Sequence, residues 1–129
     1  MNERRGRALL KPGTTIEISA GTLRTAGFEH TFGGRIVDVV ELSDGAFAVS
    51  WESEEQFHDA PPWRFPVSGI TVLDAAGTVR WMKTKGHSGT GLQPLDDPAI
   101  PDALIARGSS SGTVLHPWDG RSLVWWPER

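Results

Sequence analysis

The sequence predicts a mainly β protein, an antiparallel small barrel or sandwich of about six or seven short strands with one short helix near 101–107. Three observations lead there. Residues 46–51 alternate small Ala46, Ala48 and Ser50 with bulky Phe47, Val49 and Trp51, the period of two that a strand imposes on its two faces. Three turn signals, Ser43-Asp44-Gly45, Ala75-Ala76-Gly77 and Pro117-Trp118-Asp119-Gly120, each lie between short apolar runs, as hairpin loops do. Only Pro101 to Arg107 suits a helix. There Pro opens the segment, Leu104 and Ile105 form an apolar side, and Gly108 stands at the stop position.

In chain order, Arg4, Arg5, Arg7 and Lys11 make a basic lead. Pro12-Gly13 marks a turn, and Thr14 to Ser19, with Ile16 and Ile18 alternating with Glu17, reads as a first strand. Residues 19–34 are polar and Gly-containing, a connection whose Phe28, His30 and Phe32 fold back onto the core. The next strand, from Arg35, is apolar on both sides. Ile36, Val40 and Leu42 share one side with Asp38, and Val37 and Val39 share the other with Glu41, which calls for a mid-sheet position or a closed barrel. After the strand ending at Trp51, Pro61-Pro62 excludes a central strand or helix interior. The second hairpin joins Ile70–Asp74 to Thr78–Met82. Residues 84–100, interrupted by Gly86, Gly89, Gly91, Pro94 and Pro98, read as a long loop or flexible segment. The third hairpin pairs Thr113–His116 with Arg121–Trp126.

A chain of 129 residues fits one β-rich domain spanning 1–129 and can bury roughly two-thirds of its unfolded surface without staples. It has no cysteine, which excludes disulfides and thiolate metal sites and fits a reducing cytoplasm. No apolar run approaches a membrane span, and the Ala8-Leu9-Leu10 patch is too short for a signal-peptide core, so a cytoplasmic location is expected. Net charge is −3, unevenly placed. Every charged residue between Glu41 and Asp59 is acidic, whereas Arg80, Lys83 and Lys85 form a second basic cluster. The four histidines are almost evenly spaced, but their flanking residues share no pattern, so no repeat is inferred.

The signatures of P-loop, nucleophile-elbow, zincin and dinucleotide-binding sites are absent. No cofactor and no metal site is expected, and the chain leans away from being an enzyme. One anion-loop candidate is Lys83, Lys85, His87, Ser88 and Thr90, where glycines allow backbone N–H groups to converge. The six tryptophans, against no tyrosine, say more. Trp51 and Trp81 are expected in the core, opposite each other in neighbouring hairpins. Trp63 after two prolines, Trp118 at a hairpin tip and Trp126, which turns its back on Trp125, are candidate contact residues for a partner or a second copy of the chain. Glu52, Glu54 and Glu55 would form an acidic rim beside them.

Gly34-Arg35-Ile36-Val37-Asp38-Val39 followed by Phe47-Ala48-Val49-Ser50-Trp51 resembles the SH3-like small barrels, among them Tudor- and KOW-type domains, over residues 13–74. The resemblance implies a small barrel that binds peptides or nucleic acids through loop aromatics, with Trp51 and Phe57 or Trp63 where such a pocket falls. The long C-terminal half and the lack of tyrosine depart from that pattern. The leading expectation is therefore a non-enzymatic binding or self-assembly module recognising a protein segment. The alternatives are a small-ligand barrel or small enzyme with a Trp/His-lined pocket, drawing on His30, His58 or His116, and a nucleic-acid contact through Arg4, Arg5, Arg7, Lys83 and Lys85.

Overall fold

The computed structural model describes residues 7–57, 65–85, 91–95, 98–99, 101–107, 111–115 and 122–127. They form strands and turns only. Twelve short strands follow one another: β1 (Arg7–Leu9), β2 (Glu17–Ser19), β3 (Thr22–Arg24), β4 (Glu29–Thr31), β5 (Arg35–Glu41), β6 (Phe47–Phe57), β7 (Phe65–Leu73), β8 (Val79–Lys85), β9 (Gly91–Pro94), β10 (Leu104–Arg107), β11 (Ser111–Leu115) and β12 (Ser122–Pro127). They make three sheets, ordered β1-β5-β6-β7-β8, β12-β11-β10-β9 and β2-β3-β4, and no sheet closes into a barrel among the described residues. No described helix is long and apolar enough to cross a membrane.

The five-stranded sheet has a core on each face. On one face Ile36, Val39, Phe47, Val49, Trp51 and Leu73 pack with Leu23 and Phe32 of the three-stranded region. On the other, Val40, Ala48, Ile70, Val72 and Trp81 pack with Leu92, Leu104 and Ala106 of the four-stranded sheet. The alternation in β6 thus has no solvent side: Ala46, Ala48 and Ser50 are as buried as Phe47 and Val49. Small residues let the second sheet approach closely, while the large ones fill the wider gap opposite. Trp51 and Trp81 are both buried, but they occupy opposite cores rather than facing each other. The pairing explains this, because Trp51 lies across from Gly69 while Trp81 lies across from Val72, an odd number of residues along β7.

Turn chemistry is as the sequence requires. Gly45 and Gly77 each adopt a φ near +90° and close their loops with a bond to the residue three before, Gly45 N to Leu42 O at 3.1 Å and Gly77 N to Asp74 O at 3.0 Å. Arg80 Nη2 binds Asp44 Oδ2 at 2.6 Å and so ties the two loops together. Burial of the Asp44 carboxyl works to raise its pKa. The Arg80 guanidinium and the Ala46 N–H outweigh that and hold it below the ordinary carboxylate value. The third hairpin pairs β11 with β12, while its tip at 117–120 lies outside the described residues.

Several expectations are corrected. Residues 101–107 hold no helix: Pro101 and Asp102 form a turn, and Leu104–Arg107 is a strand between β9 and β11. Leu104 and Ala106 are buried and Ile105 is not, a period of two. Asp102 takes φ +63° and its carboxylate accepts bonds from the Ser43 N–H and hydroxyl, an arrangement no helix start allows. The 84–100 loop contains a strand, β9, whose Leu92 is buried against the central sheet. The 19–34 connection is itself the β3–β4 hairpin, with Phe32 buried and Phe28 edge-on to Phe47 at 5.8 Å. On its solvent face Arg24 bridges Glu29 and Glu17, and the Glu29 carboxylate first, then Glu17, holds the guanidinium pKa above its ordinary value. The pairing is not wholly antiparallel either, since β1 joins β5 in parallel, Ala8 beside Val39. Finally, β5 carries a bulge between Ile36 and Asp38, which leaves Val37 without a partner on β6. The extra residue moves Ile36 to the side of Val39 and leaves Asp38 and Val40 on the other.

Candidate functional site

Trp51 is seated by three features of its surroundings. Its Nε1–H donates to Thr71 Oγ1 at 3.0 Å, and both side chains are buried. Its ring lies across the backbone of Gly69, where any Cβ would overlap it. Over its far edge runs Gly33, where a Cβ would stand 3.0 Å from the ring. Two glycines therefore sandwich one indole, and the ring fills space that other residues would claim with side chains.

Above this ring the surface opens into a groove of about 430 Å³, lined by Ala20, Gly21, Phe32, Gly33, Gly34, Arg35 and Ser53. The β2–β3 turn forms one wall and the β4–β5 connection the other. They are joined by Phe32 N to Gly21 O at 2.8 Å and Ile36 N to Ala20 O at 2.9 Å. Ala20 adopts φ +53°, a left-handed conformation that costs a residue with a Cβ about 1 kcal/mol. Ser53 is buried, and Phe32 is buried with its ring 4.6 Å from that of His30. Arg35 supplies the only charge in the lining among the described residues. Its Nη2 reaches Oε1 of the cross-strand Glu52 at 3.4 Å, with the arginine about half exposed (46%) and the glutamate less so (23%).

A second, smaller cavity of about 60 Å³ lies beneath β1, lined by Leu9, Asp38, Val39 and Leu92. Asp38 there is 3% exposed, and its Oδ2 accepts from Leu92 N at 2.9 Å while its own N–H donates to Ser50 Oγ at 3.0 Å. This carboxylate fastens β9 to β5. Among the described residues neither cavity is lined by histidine, and no three His, Asp or Glu side chains converge as metal ligands would.

Of the residues read from the sequence as site candidates, His30, Trp51, Glu52 and Lys83 are described in full; His30 is half-buried against Phe32 and Trp51 is buried in the core. Glu52 borders the groove and is engaged by Arg35, so this member of the acidic rim is partly neutralised. Lys83 is exposed on β8, opposite Ile70. Glu54 and Glu55 lie in β6 where its pairing with β7 is irregular, Lys85 ends β8 opposite Ser68, and Trp126 sits on β12 opposite Gly112. Their side chains, together with all of Trp63, Trp118, His87, Ser88 and Thr90, lie outside the described residues, as do His58 and His116. The groove itself is built from residues that the sequence reading left as connection or core. The signal for it was Phe32-Gly33-Gly34-Arg35, an aromatic followed by two glycines and a cation, immediately before a strand whose neighbour ends in Val49-Ser50-Trp51.

Comparisons of the chain with protein-family models, with curated proteins and with solved structures returned no match.

Proposed function

We propose that this chain is a non-enzymatic β-sheet binding module that recognises an extended protein segment in the groove over Trp51. The observation that carries this reading is the groove itself: an open cleft with backbone glycine walls, the buried Phe32 at its floor and the Arg35 cation at its edge. Such a lining accepts a main chain closely, because glycine walls present no side chains to exclude it, while the aromatic floor and the cation supply contact area and orientation. A reducing cytoplasm suits a module that has no cysteine.

The test is selection of peptides from a random phage-displayed library on the immobilised protein, followed by amide shift mapping of the enriched peptides. Shifts centred on residues 20–21, 32–35 and 53 are expected. No enrichment over a blank surface, or shifts confined to other strands, refutes the reading.

A second reading, self-assembly into a homodimer, is favoured by one observation on β8. This is an edge strand among the described residues, and it leaves Val79 (44%) and Met82 (58%) exposed. Edge strands that show apolar side chains invite a further strand. Light scattering across a range of protein concentration separates the two, since only self-assembly makes the molar mass rise to that of a dimer.

A further inference from the structure

The Arg35–Glu52 pair is built to be exchanged. A guanidinium has five N–H donors in a planar fork that matches a carboxylate in two parallel bonds. Among the described residues Arg35 uses one of them, in a single 3.4 Å contact to one oxygen of Glu52. A cross-strand pair this exposed is a weak one. The arginine lines the groove and the glutamate does not.

We infer that Arg35 reads an acidic side chain of the bound segment: an Asp or Glu carboxylate passing through the groove takes both edges of the guanidinium and displaces Glu52, which holds the site closed to neutral sequences until then. The inference rests on the groove reading above. It adds the chemical class of the partner, an extended segment with a carboxylate positioned beside a residue that packs on Phe32 and Gly33. It also makes Glu52 an internal competitor, so specificity comes from the exchange of one carboxylate for a better-placed one.

The test uses fluorescein-labelled peptides from the phage selection, each paired with its amide version (Glu→Gln or Asp→Asn), titrated by anisotropy. The enriched peptides are expected to share an acidic position, and amidation is expected to weaken binding about tenfold, the size of a lost charge-assisted bond. With Arg35→Gln the acidic and amide versions bind alike, and Arg35→Glu moves the preference to Lys at that position. Glu52→Gln tightens the acidic peptide by about threefold by removing its competitor. Arg35 and Glu52 are not core residues, and the amide spectrum of each variant checks that the fold is kept. Peptides that shift the groove amides yet carry no acidic position, or bind Arg35→Gln as well as the parent chain, overturn the inference and leave the groove reading standing. A selection that yields no groove binder overturns both.

Discussion

Replacing Gly69 with alanine tests whether the indole of Trp51 is held as described. The added methyl would overlap the Trp51 ring, so the ring must move or β7 must bow outward. Overpacking of this kind costs about 1–3 kcal/mol. A shifted ring also loses its 3.0 Å bond to Thr71, and with both partners buried the unmade bond adds about 1–3 kcal/mol. Alanine returns about 0.5–1 kcal/mol through the smaller entropy of its unfolded state. The expected net loss is about 1–5 kcal/mol, a large part of the roughly 5–15 kcal/mol typical of a domain. Urea unfolding followed by tryptophan fluorescence reads it as a lower midpoint at unchanged slope. The decisive measurement adds Trp51→Leu. In that background the methyl has room, so Gly69→Ala should cost less than 1 kcal/mol and the cycle should show a coupling of about 1–3 kcal/mol. The other five tryptophans still report unfolding. A loss below about 0.5 kcal/mol in the parent chain, or additive effects of the two changes, refutes the reasoning.

Three further outcomes are expected. Ala20→Gly relieves the left-handed conformation at the groove wall and should stabilise the fold by about 0.5–1 kcal/mol, read as a higher thermal midpoint. Asp102→Gly keeps the φ of +63° without strain but removes the carboxylate that holds the Ser43 N–H and hydroxyl; it should cost about 1–2 kcal/mol and speed hydrogen exchange at the Ser43 amide. Asp44 has a folded pKa below its ordinary value, so the stability it brings is complete above the ordinary carboxylate range and drains as pH falls through the folded pKa. The thermal-midpoint gap between the parent chain and Asp44→Asn should therefore narrow once pH drops below about 4, and a gap that widens there contradicts the assignment.

What could be read in advance is what is decided locally. The Ser43-Asp44-Gly45 and Ala75-Ala76-Gly77 turns carry their geometry in two or three residues, and the strand ends next to them followed, whereas β6, β7 and β8 run three to six residues further from the turns than the local pattern indicates. Strands β1, β3, β4, β9 and β10 escaped notice because each is a few residues long and is made a strand by its neighbours. Leu104-Ile105-Ala106 has no intrinsic objection to a helix, and only the ladders of β9 and β11 on its two sides decide otherwise. The two-sided burial of β6 was hidden for a similar reason. Alanine and serine look like a solvent face until a second sheet is known to cover them. For the groove, Gly33 and Gly34 were visible as turn residues, but their meaning depends on Trp51 lying beneath one of them and on β6 lying against the other. Neither fact is written in the local sequence.

The bulge in β5 has a consequence for how this chain tolerates changes of length. Val37 is the residue with no partner on β6, and the strand keeps its sides only because the count on β5 exceeds that on β6 by one at this point. Losing Val37 would restore a regular ladder with Ile36 still facing Trp51 and Asp38 still facing Ser50. Losing any residue from 39–41 would instead put the Asp38 carboxylate in the aromatic core and turn Val37 toward β9. Position 37 is thus the place in this strand where a codon can be deleted while every core side chain and the Asp38 carboxylate keep their sides.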